Sequence, residues 1–306
     1  MKQIVPVSPR AATVGELSAV HTPTYISDVE SFALRGGGFL DPDTVVSPAS
    51  YNAALYAAGG LIEAVNAVMT GNVKSAFALV RPPGHHAVRW AAKGFCLFNN
   101  IAVAARYAIA NYNLERILIA DFDVHHGNGT QDTFYDDPHV LYFSTHQSPW
   151  YPGSGHVEET GNGDGKGTTV NVPLPAWCGD DEYLRVYDEV LVPVARRFRP
   201  QLVLASAGYD AHSSDPLAQM QVSVTGFANV MHVLKGLAEE LCDGRIVLTL
   251  EGGYNLDALA ESTRATFDVL LGNPKIIDTI SKYPGGRPAP SIEALLEVVK
   301  VTHGLA

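Results

Sequence analysis

The chain runs to 306 residues, 46% hydrophobic and 17% charged, a balance that fits one domain over 1–306 and excludes a disordered or fibrous protein. A formal charge of −11 argues against a hold on nucleic-acid phosphates, so no direct nucleic-acid binding is expected, although the surplus could steer a cationic substrate. Cys96, Cys178 and Cys242 form no CxxC pair, and no stretch has the apolar length of a signal peptide or membrane span, so a reducing, cytoplasmic setting off the membrane is expected.

In chain order, RGGGF at 35 reads as a surface loop, and helical spacing begins at 48–70, with Ser47 placed to cap it and Pro48 suited to the first helical position. AFALV (76–80) reads as a strand and is followed by a helix over 99–112. RILIA (116–120), VLYFS (140–144) and TTVNVPL (168–174) read as three more strands, with TGNGDGKGT at 160 as a loop between the last two. A helix over 180–198, capped by Asp180, precedes strand LVLAS (202–206), helix 223–241, strand IVLTL (246–250) and helix 255–271. From about Asn273 the Pro-Gly-Gly and Pro-Ala-Pro stretches read as an irregular wrap before a last helix at 291–301. Strands apolar on both faces, alternating with helices, predict an α/β fold with a single parallel sheet and helices on both faces.

In such sheets ligands bind beyond the carboxyl ends of the strands. Four exits carry chemistry here: RPPGHH with His85 and His86; DFDVHH with Asp121, Asp123, His125 and His126; AGYDAH with Asp210 and His212; and EGGY with Glu251 and Tyr254. Taken singly, an Asp or His at such a place is more often a cap or a satisfied loop residue. Four exits together are another matter, because desolvating so many ionisable groups without a metal or substrate is expensive.

Asp123 and His125, two apart on extended chain, point to one side and can share an ion, with Asp210 as a third ligand. Oxygen and nitrogen donors without thiolate suit zinc and also iron(II) or manganese. His85 and His86 can both face one cleft and move protons, with Asp121 behind one imidazole. Tyr254, after two glycines, offers a phenol to a developing oxyanion.

RPPGHH, GFCLFNN, DFDVHHGNGTQ, SPWYPGSGH, SAGYDAH and LEGGYN, in that order, resemble the histone deacetylase superfamily over nearly the whole chain, in particular its class II-like bacterial deacetylase and acetylpolyamine amidohydrolase branch. The resemblance implies the arginase/deacetylase fold and zinc-dependent hydrolysis of an N-acyl amine, most simply acetyl-lysine. It makes Asp123, His125 and Asp210 the metal ligands and His86 the main general base. His85, backed by Asp121, becomes the electrostatic and proton-donating partner, and Tyr254 the group that polarises the carbonyl. Gly94, Phe95 and Tyr151 would line a tunnel for the acyl-lysine stem. It also implies a monovalent cation, usually potassium, on side-chain oxygens of Asp121 and Ser144 and the backbone carbonyls of Asp123, His125 and Thr145. His126 is expected to be structural, and oligomeric state is left open.

Three departures qualify the resemblance. The family carries a first strand and a His-Pro-Glu stretch upstream of the segment matching HTPTYISDV, whereas this chain begins shortly before it, which leaves the strand count and one rim loop open and raises the expectation of a truncated N-terminus. Asn128 stands where class I members have an aspartate behind the second histidine. Leu217 stands where polyamine-specific members place a glutamate, which favours lysine over a polyamine. Three alternatives are weaker: an acetylpolyamine or other small-amine amidohydrolase, a binuclear manganese enzyme lacking its second aspartate set at HHGNG, and a non-catalytic acyl-amine binding module.

Overall fold

Residues 4–280 and 286–305 are described by the computed structural model of the chain. The N-terminal part holds helices α1 (Val14–Leu17) and α2 (Pro23–Leu34), a hairpin of β1 (Gly38–Phe39) and β2 (Val45–Val46), and the long helix α3 (Ser50–Met69). Then come β3 (Ser75–Ala78), α4 (Asn100–Tyr112), β4 (Ile117–Asp121), α5 (Asn128–Phe134), β5 (Val140–Gln147) and β6 (Thr169–Leu174). Helix α6 (Asp180–Val186) passes through a π-turn at Tyr187–Leu191 into α7 (Val192–Phe198). β7 (Leu202–Ala207), α8 (Val224–Leu241), β8 (Ile246–Leu250), α9 (Leu256–Leu271) and α10 (Glu293–His303) complete the order.

β3 to β8 form one parallel sheet in the order β3-β8-β7-β4-β5-β6, which confirms the predicted class. Side-chain alternation along β4 shows why both faces are covered. Ile117 and Ile119 pack into a core shared with α3 and α4, while Leu118 and Ala120 pack into the opposite core with α8 and the π-turn. Asp121 ends β4 fully buried, so the hydrophobic strand delivers a carboxylate directly to the sheet's carboxyl edge.

All six predicted strands are present, with VLYFS extended through Gln147. Two helix starts are corrected. A tight turn, closed by the Ser50 N–H on the Ser47 carbonyl at 3.0 Å, precedes α3, so the regular helix opens at Ser50 and not at Pro48. α6 is capped at Gly179, whose N–H donates to Glu182 at 2.9 Å. Asp180 instead accepts from the Ser223 N–H at 2.7 Å and so ties this helix to the start of α8. The π-turn ends two residues before Pro193, which has no N–H to continue the regular ladder.

Part of RGGGF belongs to the hairpin and not to a loop. The predicted wrap has no helix or strand among its described residues, and Pro284 and Gly285 of its Pro-Gly-Gly lie outside them. No helix among the described residues is long and apolar enough to cross a membrane.

Candidate active site

The turn after β4 folds back on itself through its own carboxylates. Asp121 Oδ1 accepts the Asp123 N–H at 3.2 Å, and Asp123 Oδ1 accepts the His125 N–H at 2.9 Å. Two neighbouring exits close on this turn: the Val124 N–H donates to Asp210 Oδ1 at 2.9 Å, and the Gly252 N–H to Asp123 Oδ2 at 2.8 Å. The sheet order puts β4 and β8 on either side of β7, so the three exits meet.

Asp123, His125 and Asp210 thereby present ligand atoms that all lie within 4.8 Å of one another. His125 Nδ1 sits 3.1 Å from both Asp123 Oδ1 and Asp210 Oδ2. Burial opposes a charge on this imidazole, but the two carboxylates outweigh it and push its pKa up to about 10. Burial and the adjacent Asp123 carboxylate raise Asp210. Two carboxylates gathered around one imidazole, out of water, form a donor set that fits a divalent cation. The backbone leaves no slack: a Cβ on Gly252 would stand 2.2 Å from Asp210 Oδ2.

His85 and His86 stack beside this cluster with ring centroids 4.0 Å apart, both buried, in different electrostatic settings. His85 Nδ1 faces Asp121 Oδ2 at 3.1 Å, and the Tyr142 hydroxyl donates to the same oxygen at 3.1 Å. Burial works against a charged His85, yet Asp121 and Asp123 prevail and push it up to about 10. His86 Nδ1 lies 2.9 Å from the neutral amide oxygen of Asn128. Burial, then the neighbouring His85 and His125, hold His86 well below the ordinary histidine value. The two imidazoles thus sit in opposite settings, Asp121 and Asp123 favouring the charged form of His85 and burial the neutral form of His86, whose Nδ1 is occupied and whose Nε2 has no hydrogen-bond partner among the described residues.

His85, His86, Asp123 and His125 line a cavity of about 300 Å³ together with Gly94, Phe95, Tyr151, Leu217 and Tyr254. The Tyr151 ring meets His86 edge-on at 5.1 Å, and the Phe95 ring meets Tyr254 at 5.8 Å. Burial, with Asp210 and Asp123 nearby, raises the Tyr254 phenol, so it stays protonated and can donate. The expected metal-ligand residues Asp123 and His125, the proton-transfer histidines and the expected tunnel residues line this one cavity, and Asp210 stands behind it with its carboxylate on His125. Asp121 lies one layer beneath it.

The predicted cation residues Asp121 and Ser144 are register partners on β4 and β5. The Ser144 hydroxyl contacts His146 Nδ1 at 2.9 Å, and the buried Thr145 hydroxyl has no hydrogen-bond partner among the described residues. His126 is structural as expected, held between Ser154 at 2.8 Å and Gln131 at 3.0 Å. Two residues given no role from the sequence matter here. Asp215 accepts from the backbone N–H groups of Leu217, Tyr254 and Asn255 at 3.0, 2.7 and 3.1 Å, so it links the rim to the tyrosine. Asp43, from the hairpin, contributes a carboxylate to the mouth. An aspartate five residues after a ligand was a visible signal for the first; nothing local marked the second.

A parallel α/β sheet whose central strands deliver two carboxylates and a histidine, and whose edge strand β3 leads to a neighbouring histidine pair, at one narrow cavity defines an enzyme of the arginase/deacetylase fold. The chain belongs to the histone deacetylase family, whose domain it matches over residues 1–270, and it is a deacetylase acting on acetylated amides. It is 44% identical over 309 residues to histone deacetylase 10, chloroplastic, of Oryza sativa subsp. japonica, covering 96% of this chain and 69% of that one. It is 42% identical over 280 residues to the polyamine deacetylase HDAC10 of Homo sapiens, covering 88% of this chain and 41% of that one. Among solved structures, the HDA15 HD domain superposes with a TM-score of 0.87 at 38% identity, covering 97% of this chain and 81% of that one.

Proposed function

We propose that the chain is a metal-dependent deacetylase that hydrolyses the acetyl amide of an acetylated lysine side chain to acetate and free amine. The observation that carries this reading is the cluster of Asp123, His125 and Asp210 beside one cavity that His85, His86, Tyr254 and the rings of Phe95 and Tyr151 also line. A divalent ion, zinc by family and iron(II) or manganese by donor type, would be held by Asp123, His125 and Asp210 and would supply Lewis acidity to water and carbonyl.

The remaining work falls to the chain's own side chains. His86 Nε2 accepts the proton of the attacking water, its ring fixed by Asn128. His85, kept cationic by Asp121, stabilises the charge that builds up and returns a proton to the leaving amine. Tyr254 donates its phenol to the carbonyl oxygen as negative charge develops there. Phe95 and Tyr151 flank the four-carbon stem of the lysine and exclude water from it. A monovalent cation beneath the site, beside Asp121 and Ser144, fits the same reading.

A small acetylated amine is the second reading, favoured by the Asp43 carboxylate at the mouth, which could receive a free ammonium. Leu217 at the rim favours lysine. Turnover of an acetyl-lysine peptide against acetylputrescine, each with added zinc, iron(II) or cobalt, decides between the two. With the better substrate, Asp210→Ala is expected to lose bound metal and activity together. Tyr254→Phe should keep the metal and lose kcat by about 100-fold or more, and His86→Ala should do the same. Full zinc occupancy in Asp210→Ala would sink the ligand assignment, and near-normal turnover in His86→Ala would sink the base assignment.

A further inference from the structure

Glu251 is the first residue after β8 and is fully buried, yet it forms no ion pair among the described residues. A carboxylate in that position is costly unless its oxygens are well used. Glu251 Oε2 accepts the Gly84 N–H at 2.7 Å and the His85 N–H at 3.2 Å, and Oε1 accepts the Ser206 hydroxyl at 3.1 Å. The backbone of Glu251 is fixed as well: its N–H donates to the Ala207 carbonyl at 2.9 Å, and its carbonyl receives Arg81 Nη1 at 2.6 Å. The far side of the same histidine is also gripped, because the N–H groups of Gly129 and Thr130 donate to the His85 carbonyl at 3.0 and 3.1 Å.

We propose that Glu251 is a positioning residue for the histidine pair: from the end of β8 its carboxylate grips the Gly84–His85 backbone opposite the grip of α5, and so aims both imidazoles into the cavity. Nothing in this role needs the negative charge. A glutamine of the same length can accept both backbone N–H groups with its carbonyl oxygen and donate its amide to Ser206. An aspartate keeps the charge but is one methylene too short to span from the β8 end to the histidine loop. Reach, and not charge, should therefore decide the outcome.

This inference rests on the deacetylase reading, and the wild-type control separates the two. A wild-type protein that turns over neither test substrate sinks that reading, whereas the comparison of variants tests only Glu251. The experiment measures kcat and KM on the acetyl-lysine peptide, with metal content and thermal unfolding, for Glu251→Gln, Glu251→Asp, Glu251→Ala and Ser206→Ala, all zinc-loaded. Glu251→Asp and Glu251→Ala are expected to lose kcat by about 30-fold or more with KM within about threefold and metal retained, because misaimed catalytic groups cost rate more than binding. Glu251→Gln should recover to within about fivefold of wild type, and Ser206→Ala should fall by about two- to fivefold. If Glu251→Ala does not fold, the Gln and Asp pair decides alone. Asp matching wild type, Gln as poor as Asp in a folded metal-loaded protein, or a loss carried by KM would each overturn the proposal.

Discussion

His21 is buried behind the histidine loop and does its work only when neutral. Its Nδ1 donates to the Val88 carbonyl at 3.0 Å, and its Nε2 accepts the Asn99 N–H at 2.9 Å. Burial lowers its pKa from 6.5 to about 4, and protonation would remove the acceptor that Asn99 needs. The unfolded chain therefore binds more protons than the folded one between pH 6.5 and about 4. Stability from this residue is fully present above that window and is lost as pH falls through it, by about 3 kcal/mol at most. Denaturant unfolding at pH 7 and pH 4.5 should show His21→Gln losing less stability on acidification than wild type, by about 2 kcal/mol. Equal losses would dismiss the effect, because both proteins share the other buried histidines. Single residues of this kind were the least legible in the sequence. Asn128 could be singled out because it departs from a motif, whereas the roles of His21, Asp215 and Glu251 lie in contacts to segments 78, 39 and 167 residues away.

Secondary-structure elements were legible wherever hydrophobic period and length agreed, as in the six sheet strands and in α3, α4, α8 and α9. The short elements α1, α5 and the hairpin leave little periodic signal, at four, seven and two residues, whereas α2, twelve residues long, has no predicted helix over it although Thr22 and Pro23 stand as its N-cap and first helical residue. Helix starts went astray where a cap residue found another partner, as Asp180 did with Ser223. The cavity-lining loop before α4 carries a sharper constraint. Gly94 has φ +53°, and a Cβ there would stand 2.3 Å from His86 Cδ2. Gly94→Ala should push the His86 ring aside and cut kcat by about 10- to 100-fold while metal content is unchanged, since displacement of about 1 Å is enough for such losses. Steady-state kinetics beside metal analysis check this, and unchanged kcat would mean that the loop yields instead of the ring.

For the molecule as a whole, Asp121, Asp123, Asp210 and Glu251 place four buried carboxylates at one edge of one sheet. A dication held by Asp123, His125 and Asp210, as proposed, would find that donor set only in the folded chain, so metal should stabilise the native state by mass action. Adding excess chelator is expected to lower the thermal midpoint by about 5–10 °C, and Asp210→Ala should show no response to zinc. An unchanged midpoint in chelator-treated wild type would remove this linkage. Sheet order was not legible in the sequence, since strand periodicity tells which face is buried and not which strand lies beside which.

That order, β3-β8-β7-β4-β5-β6, also sets when the protein can become an enzyme. His125 and Asp210 come together across 85 residues, and Asp123 meets Gly252 across 129. During synthesis the turn after β4 emerges early with two potential ligands and no third, and β7, which brings Asp210 alongside, must be made and paired with β4 before β8 can join its other edge. In the proposed metal site the third ligand arrives only once β7 has paired with β4, so selection among ions would wait for the folded chain and not fall to the nascent turn.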